Sequence, residues 1–310
     1  MLAKPGMSTP TFLIVGAMRA GTTSLYQALR AHPDAYMSAV KETNFFAFEN
    51  GRPDLPLDDI GVSTLARNSI TSAASYLDLF TDAVGSKAIG EASPSYFFSP
   101  GAATRIRRSL PNARIVLLLR DPVDRAYSAY LRRAAVDAEP AAFLEAAENE
   151  HHGFQQGERF PHYPLLEGST YARHLGRFQE CFPKHQLWVR VFEEFWAKPD
   201  QGLAELHEFL GLEGESSSIS HLNRSGIPRS PQFDRFLRGG TRVKGALKTR
   251  LPASVAAALV HLKQRIENWS MQEPSRLPAE IRSHLIRGYF SEDIAQVEQM
   301  LGRDLTSWRQ

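Results

Sequence analysis

Residues 11–32 read TFLIVGAMRAGTTSLYQALRAH, and this stretch decides the fold. Residues 11–15 are a short apolar run of β-formers, which predicts a strand. The run ends at Gly16 and a loop of small residues. From Thr22 onward Leu25, Ala28 and Leu29 recur at helical spacing, and Pro33 follows where a helix stops. Strand, glycine loop and helix, in that order, turn backbone N–H groups and a helix N-terminus toward an anion.

The loop Gly16-Ala17-Met18-Arg19-Ala20-Gly21-Thr22-Thr23 has the spacing and both glycines of the phosphate-loop pattern G-x-x-x-x-G-K-[ST]. Thr22 stands where that pattern has lysine. The lysine neutralises the β- and γ-phosphates of a triphosphate. A nucleotide with a single phosphate on its 5′ side has no γ-phosphate to hold, and Arg19 supplies positive charge instead. The loop therefore suits a 5′-phosphosulfate better than a triphosphate. A turn that merely joins strand to helix is the alternative.

The same alternation runs along the chain. Residues 87–91 (KAIGE) and 186–191 (QLWVRV) predict strands. Residues 113–119 (ARIVLLL) are the strongest strand, continuous and apolar as in the centre of a parallel sheet. Helices are expected at 100–110, 122–135, 200–210, 253–267 and 279–301, with Asp121 and Pro122 as N-cap and first-turn proline of the second. This order predicts an α/β fold, a P-loop-like three-layer sandwich with a central, mainly parallel sheet. Residues 221–250 have no period and read as a long functional loop. The whole of 1–310 reads as a single domain with a helical C-terminal layer from about residue 253.

Of the 310 residues, 43% are hydrophobic and 23% charged, which is globular composition with a sizeable core. The single cysteine, Cys181, excludes an intrachain disulfide and any cysteine cluster of zinc-site spacing. A net charge of +2 is too small to indicate nucleic acid or an anionic membrane. The apolar runs fall far short of the ~20 residues that span a bilayer. A soluble cytoplasmic protein without stable membrane insertion is expected. His151 and His152 read as a solvated loop rather than metal ligands, and no metal is expected.

Two more segments carry chemistry. In Lys41-Glu42-Thr43-Asn44-Phe45-Phe46 a charged pair sits beside two aromatics. Desolvation there would raise the Glu42 carboxyl and make it a better base for an acceptor hydroxyl. Lys41 or Arg19 would stabilise charge on a transferring group. A solvated surface pair is the alternative. In RDPVDRAYSAY, residues 120–130, Arg120 ends the best strand and Ser128 lies two turns into the next helix. Guanidinium and hydroxyl at the carboxyl end of a strand make a second anion site. An Arg120–Asp124 pair with Ser128 merely packed is the other reading. Tyr171 and His174 either face an acceptor or pack. Trp188, Phe192, Phe195 and Trp196 read as core.

Together these segments resemble the sulfotransferases that use 3′-phosphoadenosine 5′-phosphosulfate (PAPS), in particular heparan sulfate-type domains and their bacterial relatives. The resemblance extends to EASPSYF at 91–97, GSTYA at 168–172 and LGRDL at 301–305, followed by Trp308. It implies PAPS as co-substrate, bound by Arg19, Ala20, Gly21, Thr22, Thr23 and Ser24 at its 5′ side and by Arg120 and Ser128 at its 3′-phosphate. It implies Glu42 as catalytic base, with Arg19 and Lys41 in the catalytic set. Arg229 and Ser230, in SGIPRS, resemble the loop over the adenosine end in bacterial relatives. The heparan enzymes have a lysine where this chain has Ala92, which separates its acceptor from theirs. The acceptor implied is a small molecule, glycan or lipid. A P-loop kinase or NTPase and a non-catalytic nucleotide-binding protein are the rival readings.

Overall fold

The computed structural model describes residues 8–67, 69–133, 140–160, 163–213, 227–228, 271–272 and 276–310. Five short strands pair into one sheet: β1 (Phe12–Gly16), β2 (Ala35–Met37), β3 (Ala88–Ala92), β4 (Arg114–Leu119) and β5 (Leu187–Val191). Their order is β2-β3-β1-β4-β5, and every pairing is parallel. β1 and β3 are buried at each residue and β4 at all but its first. Strands covered on both faces must be apolar throughout, which is why FLIVG and RIVLLL show no alternation. β2 and β5 are the edges, and only there does partial exposure recur along the strand.

The flanking helices are α1 (Thr22–Ala31), α2 (Asp59–Ala66), α3 (Ala73–Asp78), α4 (Ser95–Phe98), α5 (Ala102–Ser109), α6 (Pro122–Arg133), α7 (Pro140–Gln155), α8 (Tyr171–Cys181), α9 (Phe192–Ala197), α10 (Pro199–Leu210), α11 (Ala279–Leu285) and α12 (Ser291–Leu301). This is the P-loop-like α/β sandwich that the sequence predicts. Four expected strands and the first helix fall within one or two residues of their expected limits.

Several elements differ from expectation. β2 has three residues, too few for any period to register. His151 and His152 lie on α7 rather than in a loop. The expected helix 279–301 is broken by a π-helical turn, Ile286–Phe290. The wider turn re-phases the helix so that Leu285, Ile286, Phe290, Ile294 and Val297 all stay buried. The expected helix 253–267 lies outside the described residues, as do Arg229 and Ser230.

Because all five strands run the same way, the loops leaving their carboxyl ends gather along one edge. The ladder continues into these loops. Ala17 N donates to Leu118 O (2.7 Å), Ser93 N to Ile14 O (3.0 Å) and Glu42 N to Ala92 O (2.8 Å). At the centre of the sheet Phe12 is fully buried beside Gly90 of β3, its register partner. A Cβ at residue 90 would overlap the Phe12 ring. Gly90→Ala is therefore expected to lose about 1–3 kcal/mol of stability by overpacking, read as a lower midpoint in urea unfolding.

Candidate active site

The phosphate loop turns on two residues of positive φ, Arg19 (67°) and Gly21 (80°). A Cβ on Gly21 would also sit 3.0 Å from the Phe192 ring and 3.1 Å from Trp196 Nε1. Backbone sign and space together require glycine there. No side chain caps α1, so the opening amides at Thr22 and Thr23 are free of the helix ladder and face the loop. Ala20 differs from expectation. Its N–H closes the loop on Ala17 O (3.2 Å) rather than pointing outward.

Three arginines meet at this loop. Arg19 Nε donates to Ser128 Oγ (3.0 Å), joining residues 109 apart in sequence. Arg120 Nη1 donates to Arg19 O (3.2 Å), and its guanidinium lies 5.1 Å from the Phe192 ring centroid. The Nε of Arg120 is buried without an acceptor among the described residues. Arg125 is 1% exposed. Its Nε donates to Met18 O (3.2 Å), and its Nη1 to Pro164 O (2.6 Å), Leu165 O (2.9 Å) and Ser169 Oγ (3.2 Å). Burial pulls the Arg19 guanidinium down to about 10; Tyr163 opposes that shift, while Arg132, Arg120 and Arg125 add to it. Cations packed this closely favour a bound anion. The expected alternative, Arg120 paired with Asp124, is not found. Arg282 of α11 pairs with both Asp124 (2.9 Å) and Asp121 instead.

The Lys41–Glu42 pair is formed at 2.7 Å, with Glu42 42% exposed. Glu42 is thus only partly buried, and the neighbouring aromatic rings turn inward, away from its carboxylate. Phe45 stacks on Tyr76 with centroids 4.3 Å apart, and Phe46 meets Tyr96 edge-on. Glu42 and Asn44 both adopt positive φ, 63° and 51°. A buried network holds them there. Asn44 Nδ2 donates to Glu42 O (2.9 Å), Asn44 N to Ser93 Oγ (3.0 Å), and Ser95 Oγ to Asn44 Oδ1 (2.6 Å). Beneath them the fully buried Glu91 accepts from Ser93 (2.7 Å), Tyr96 (2.7 Å), Thr43 (3.1 Å) and Tyr76 (3.3 Å). Burial raises the Glu91 carboxyl above its usual range, and these hydroxyls oppose the shift. The EASPSYF segment thus acts as the footing of the Glu42 loop.

Tyr163 was not singled out by any sequence signal. It has a φ of 71° and bridges the two halves electrostatically. Burial raises its hydroxyl, as does Glu42, while Arg132, to which it is hydrogen-bonded, and Arg19 oppose the shift. Tyr171 and His174, of open role in the sequence, both pack. Tyr171 OH donates to Arg120 O (2.8 Å), and His174 is 1% exposed.

The arrangement defines a P-loop-like α/β protein whose glycine loop has Thr22 at the position of the usual lysine and carries Arg19 three residues before it. The family model described as "Sulfotransferase family" matches residues 10–216, and the chain belongs to that family. It is 34% identical over 121 residues to the membrane-associated sulfotransferase kil1 of Dictyostelium discoideum, covering 39% of this chain and 22% of that protein. It is 28% identical over 250 residues to the bifunctional heparan sulfate N-deacetylase/N-sulfotransferase 4 of Mus musculus, covering 78% of this chain and 26% of the relative. The matches thus span about a quarter of these relatives' own length. The crystal structure of a sulfotransferase from Alicyclobacillus acidocaldarius superposes with a TM-score of 0.69 at 27% identity, covering 98% of this chain and 100% of that one. Among the described residues no helix is long and apolar enough to cross a membrane.

Two outcomes follow from the geometry. Arg125→Gln leaves buried carbonyls without donors and is expected to cost about 3 kcal/mol or more. Arg120→Gln, at a partly exposed position, is expected to change stability by less than about 1 kcal/mol. Urea unfolding of both variants separates the two roles. Burial holds His174 down to about 3, below the ordinary ~6.5 of the unfolded chain. The unfolded state therefore takes the proton first as pH falls. This contribution is complete above about pH 6.5 and is lost as pH drops toward 3. Between pH 7 and pH 5 the wild type is expected to lose about 2 kcal/mol more than His174→Gln, measured by unfolding at each pH.

Proposed function

We propose that the chain transfers a sulfuryl group from PAPS to a hydroxyl or amine of an acceptor. The observation that carries this reading is the contact of Arg19 with Ser128, which brings the two anion-binding segments together at one edge of the sheet. PAPS supplies the activated sulfuryl group, leaving 3′,5′-ADP. The Gly21–Thr23 amides, with the Thr23 and Ser24 hydroxyls, bind the 5′-phosphate. Arg120 and Ser128 bind the 3′-phosphate, and the unpartnered Nε of Arg120 supports this. Glu42 receives the acceptor proton, and its exposure leaves it open to a group arriving from solvent. Arg19, with Lys41, stabilises charge on the bridging oxygen as it leaves. Positioning and electrostatics carry most of such a reaction, as in phosphoryl transfer.

The heparan sulfate relative supports a glycan acceptor, while Ala92, where the heparan enzymes have lysine, separates this acceptor site from theirs. A kinase would need a cation at Thr22, and a scaffold would have no use for Glu42 in its strained, braced position.

Two measurements test the reading. At 100-fold over its dissociation constant, 3′,5′-ADP is expected to add about 2.7 kcal/mol of stability, whereas Mg²⁺-ATP adds little. The reverse order would establish the kinase reading. Transfer of ³⁵S from labelled PAPS into a host extract is expected for the wild type. Glu42→Ala is expected to lower that rate by about 10²–10⁴ with 3′,5′-ADP binding unchanged. A variant that keeps full activity removes Glu42 as base.

A further inference from the structure

A second concavity lies away from the residues assigned above to donor and base. Its volume is about 510 Å³, within the ~300–1,000 Å³ typical of small-molecule sites. Four separate stretches build it: residues 53–56, the α4–α5 turn, the end of α7 with the loop after it, and one face of α8. One wall is apolar, with Pro53, Leu55, Pro56, Phe98, Pro100 and Phe154. It is rigidly backed, since Phe154 stacks on Phe160 with centroids 4.4 Å apart and Phe98 meets His174 at 5.1 Å.

The other wall is cationic, with Arg159, Arg173 and Arg177. Arg173 is paired with Glu167 at 3.0 Å. Among the described residues Arg177 is not paired with a carboxylate. Its Nη1 donates to His174 Nδ1 at 3.3 Å, so the other imidazole nitrogen carries the proton and donates to Glu167 O at 3.3 Å. Arg159 is exposed and has no hydrogen-bond or ion-pair partner among the described residues. Among the described residues no carboxylate forms an ion pair with either group. Asp54 is taken by Arg105 (2.8 Å) and Gly101 N (2.7 Å), and Glu158 turns back toward Gly153 on α7. Burial and the neighbouring Arg173 disfavour the charge on Arg177, while Asp54 and Glu180 oppose that shift; a bound anion would add to their support.

We propose that this pocket binds a small organic anion, a sulfate, sulfonate or carboxylate carried on an apolar body. Arg177 and Arg159 hold the anionic group by charge-assisted hydrogen bonds, and the proline–phenylalanine wall covers the body. A bare inorganic anion would leave that wall without a partner, and a neutral aromatic would bring neither guanidinium an anionic one. The site is distinct from the donor site and does not depend on the proposed reaction.

Isothermal titration of the full chain with 2-naphthalenesulfonate tests it, with 2-naphthol and inorganic sulfate as controls. The sulfonate is expected to bind at one site per chain, and both controls at least about tenfold more weakly. Arg177→Gln and Arg159→Gln are each expected to weaken the sulfonate several-fold. Arg159 is exposed, so its variant retains the fold if Arg177→Gln does not. Saturating 3′,5′-ADP is expected to leave the sulfonate affinity unchanged. The proposal is overturned if the wild type shows no binding, if 2-naphthol binds as well as the sulfonate, if Arg159→Gln binds like the wild type, or if 3′,5′-ADP displaces the probe. The arginine variants decide the matter whether or not the chain binds 3′,5′-ADP.

Discussion

The buried guanidinium of Arg125 is the constraint on which the rest of this site depends. It takes oxygens from three places in the chain: Met18 in the phosphate loop, Pro164 and Leu165, and Ser169 just ahead of α8. A charge buried this deeply is costly unless its hydrogen bonds are satisfied, so these segments tolerate few other arrangements. Gly168 belongs to the same device, since a Cβ there would come within 2.6 Å of the guanidinium. With α8 placed in this way, Tyr171 reaches the carbonyl of Arg120 and fixes the end of β4. The partners of Arg125 are neutral oxygens rather than carboxylates, so its charge adds to the field that Arg19 and Arg120 present.

On the other side of the loop, Glu91 plays the complementary part. It too is fully buried and held by neutral groups, four hydroxyls from Thr43, Tyr76, Ser93 and Tyr96. Arg125 organises the anion-binding half, and Glu91 organises the half that carries Glu42. Each is a high-stakes polar site, satisfied by surroundings that must all be in place at once. The C-terminal segment closes the arrangement. Asp293 on α12 accepts from the amides of Tyr171 (2.7 Å) and Ala172 (3.0 Å) at the start of α8. Glu193 joins the Asp121 amide to the Trp308 indole.

Much of this was legible in residue order. The glycine spacing at 16–21, the apolar run before it and the helical period after it place the strand, the glycine loop and the helix. RIVLLL declares a central strand because a strand covered on both faces has no polar side to show. The Asn50-Gly51 turn was equally legible and not read; both residues have positive φ, as a two-residue hairpin turn demands. Other features left no local trace. Ala35–Met37 is too short for a period, and the π-helical turn at Ile286–Phe290 reflects packing against the core rather than propensity. Glu42 proved half-exposed because its aromatic neighbours turn toward Tyr76 and Tyr96, a choice set by residues 30 to 50 positions away.

The sequence by itself determined the class of fold and the chemistry on offer: a phosphate loop without its lysine, an arginine at the end of a central strand, and a carboxylate soon after the first helix. These are local properties, carried by spacing, period and residue type. Only the tertiary structure decided which of them meet. Arg19 touches Ser128, Tyr163 lies within the field of both Arg19 and Glu42, and Arg125 is a buried brace rather than a ligand-facing cation. Such contacts depend on parallel strands delivering distant loops to one edge, and on burial making each unsatisfied polar group too costly to leave. Neither condition is a property of any short stretch of chain.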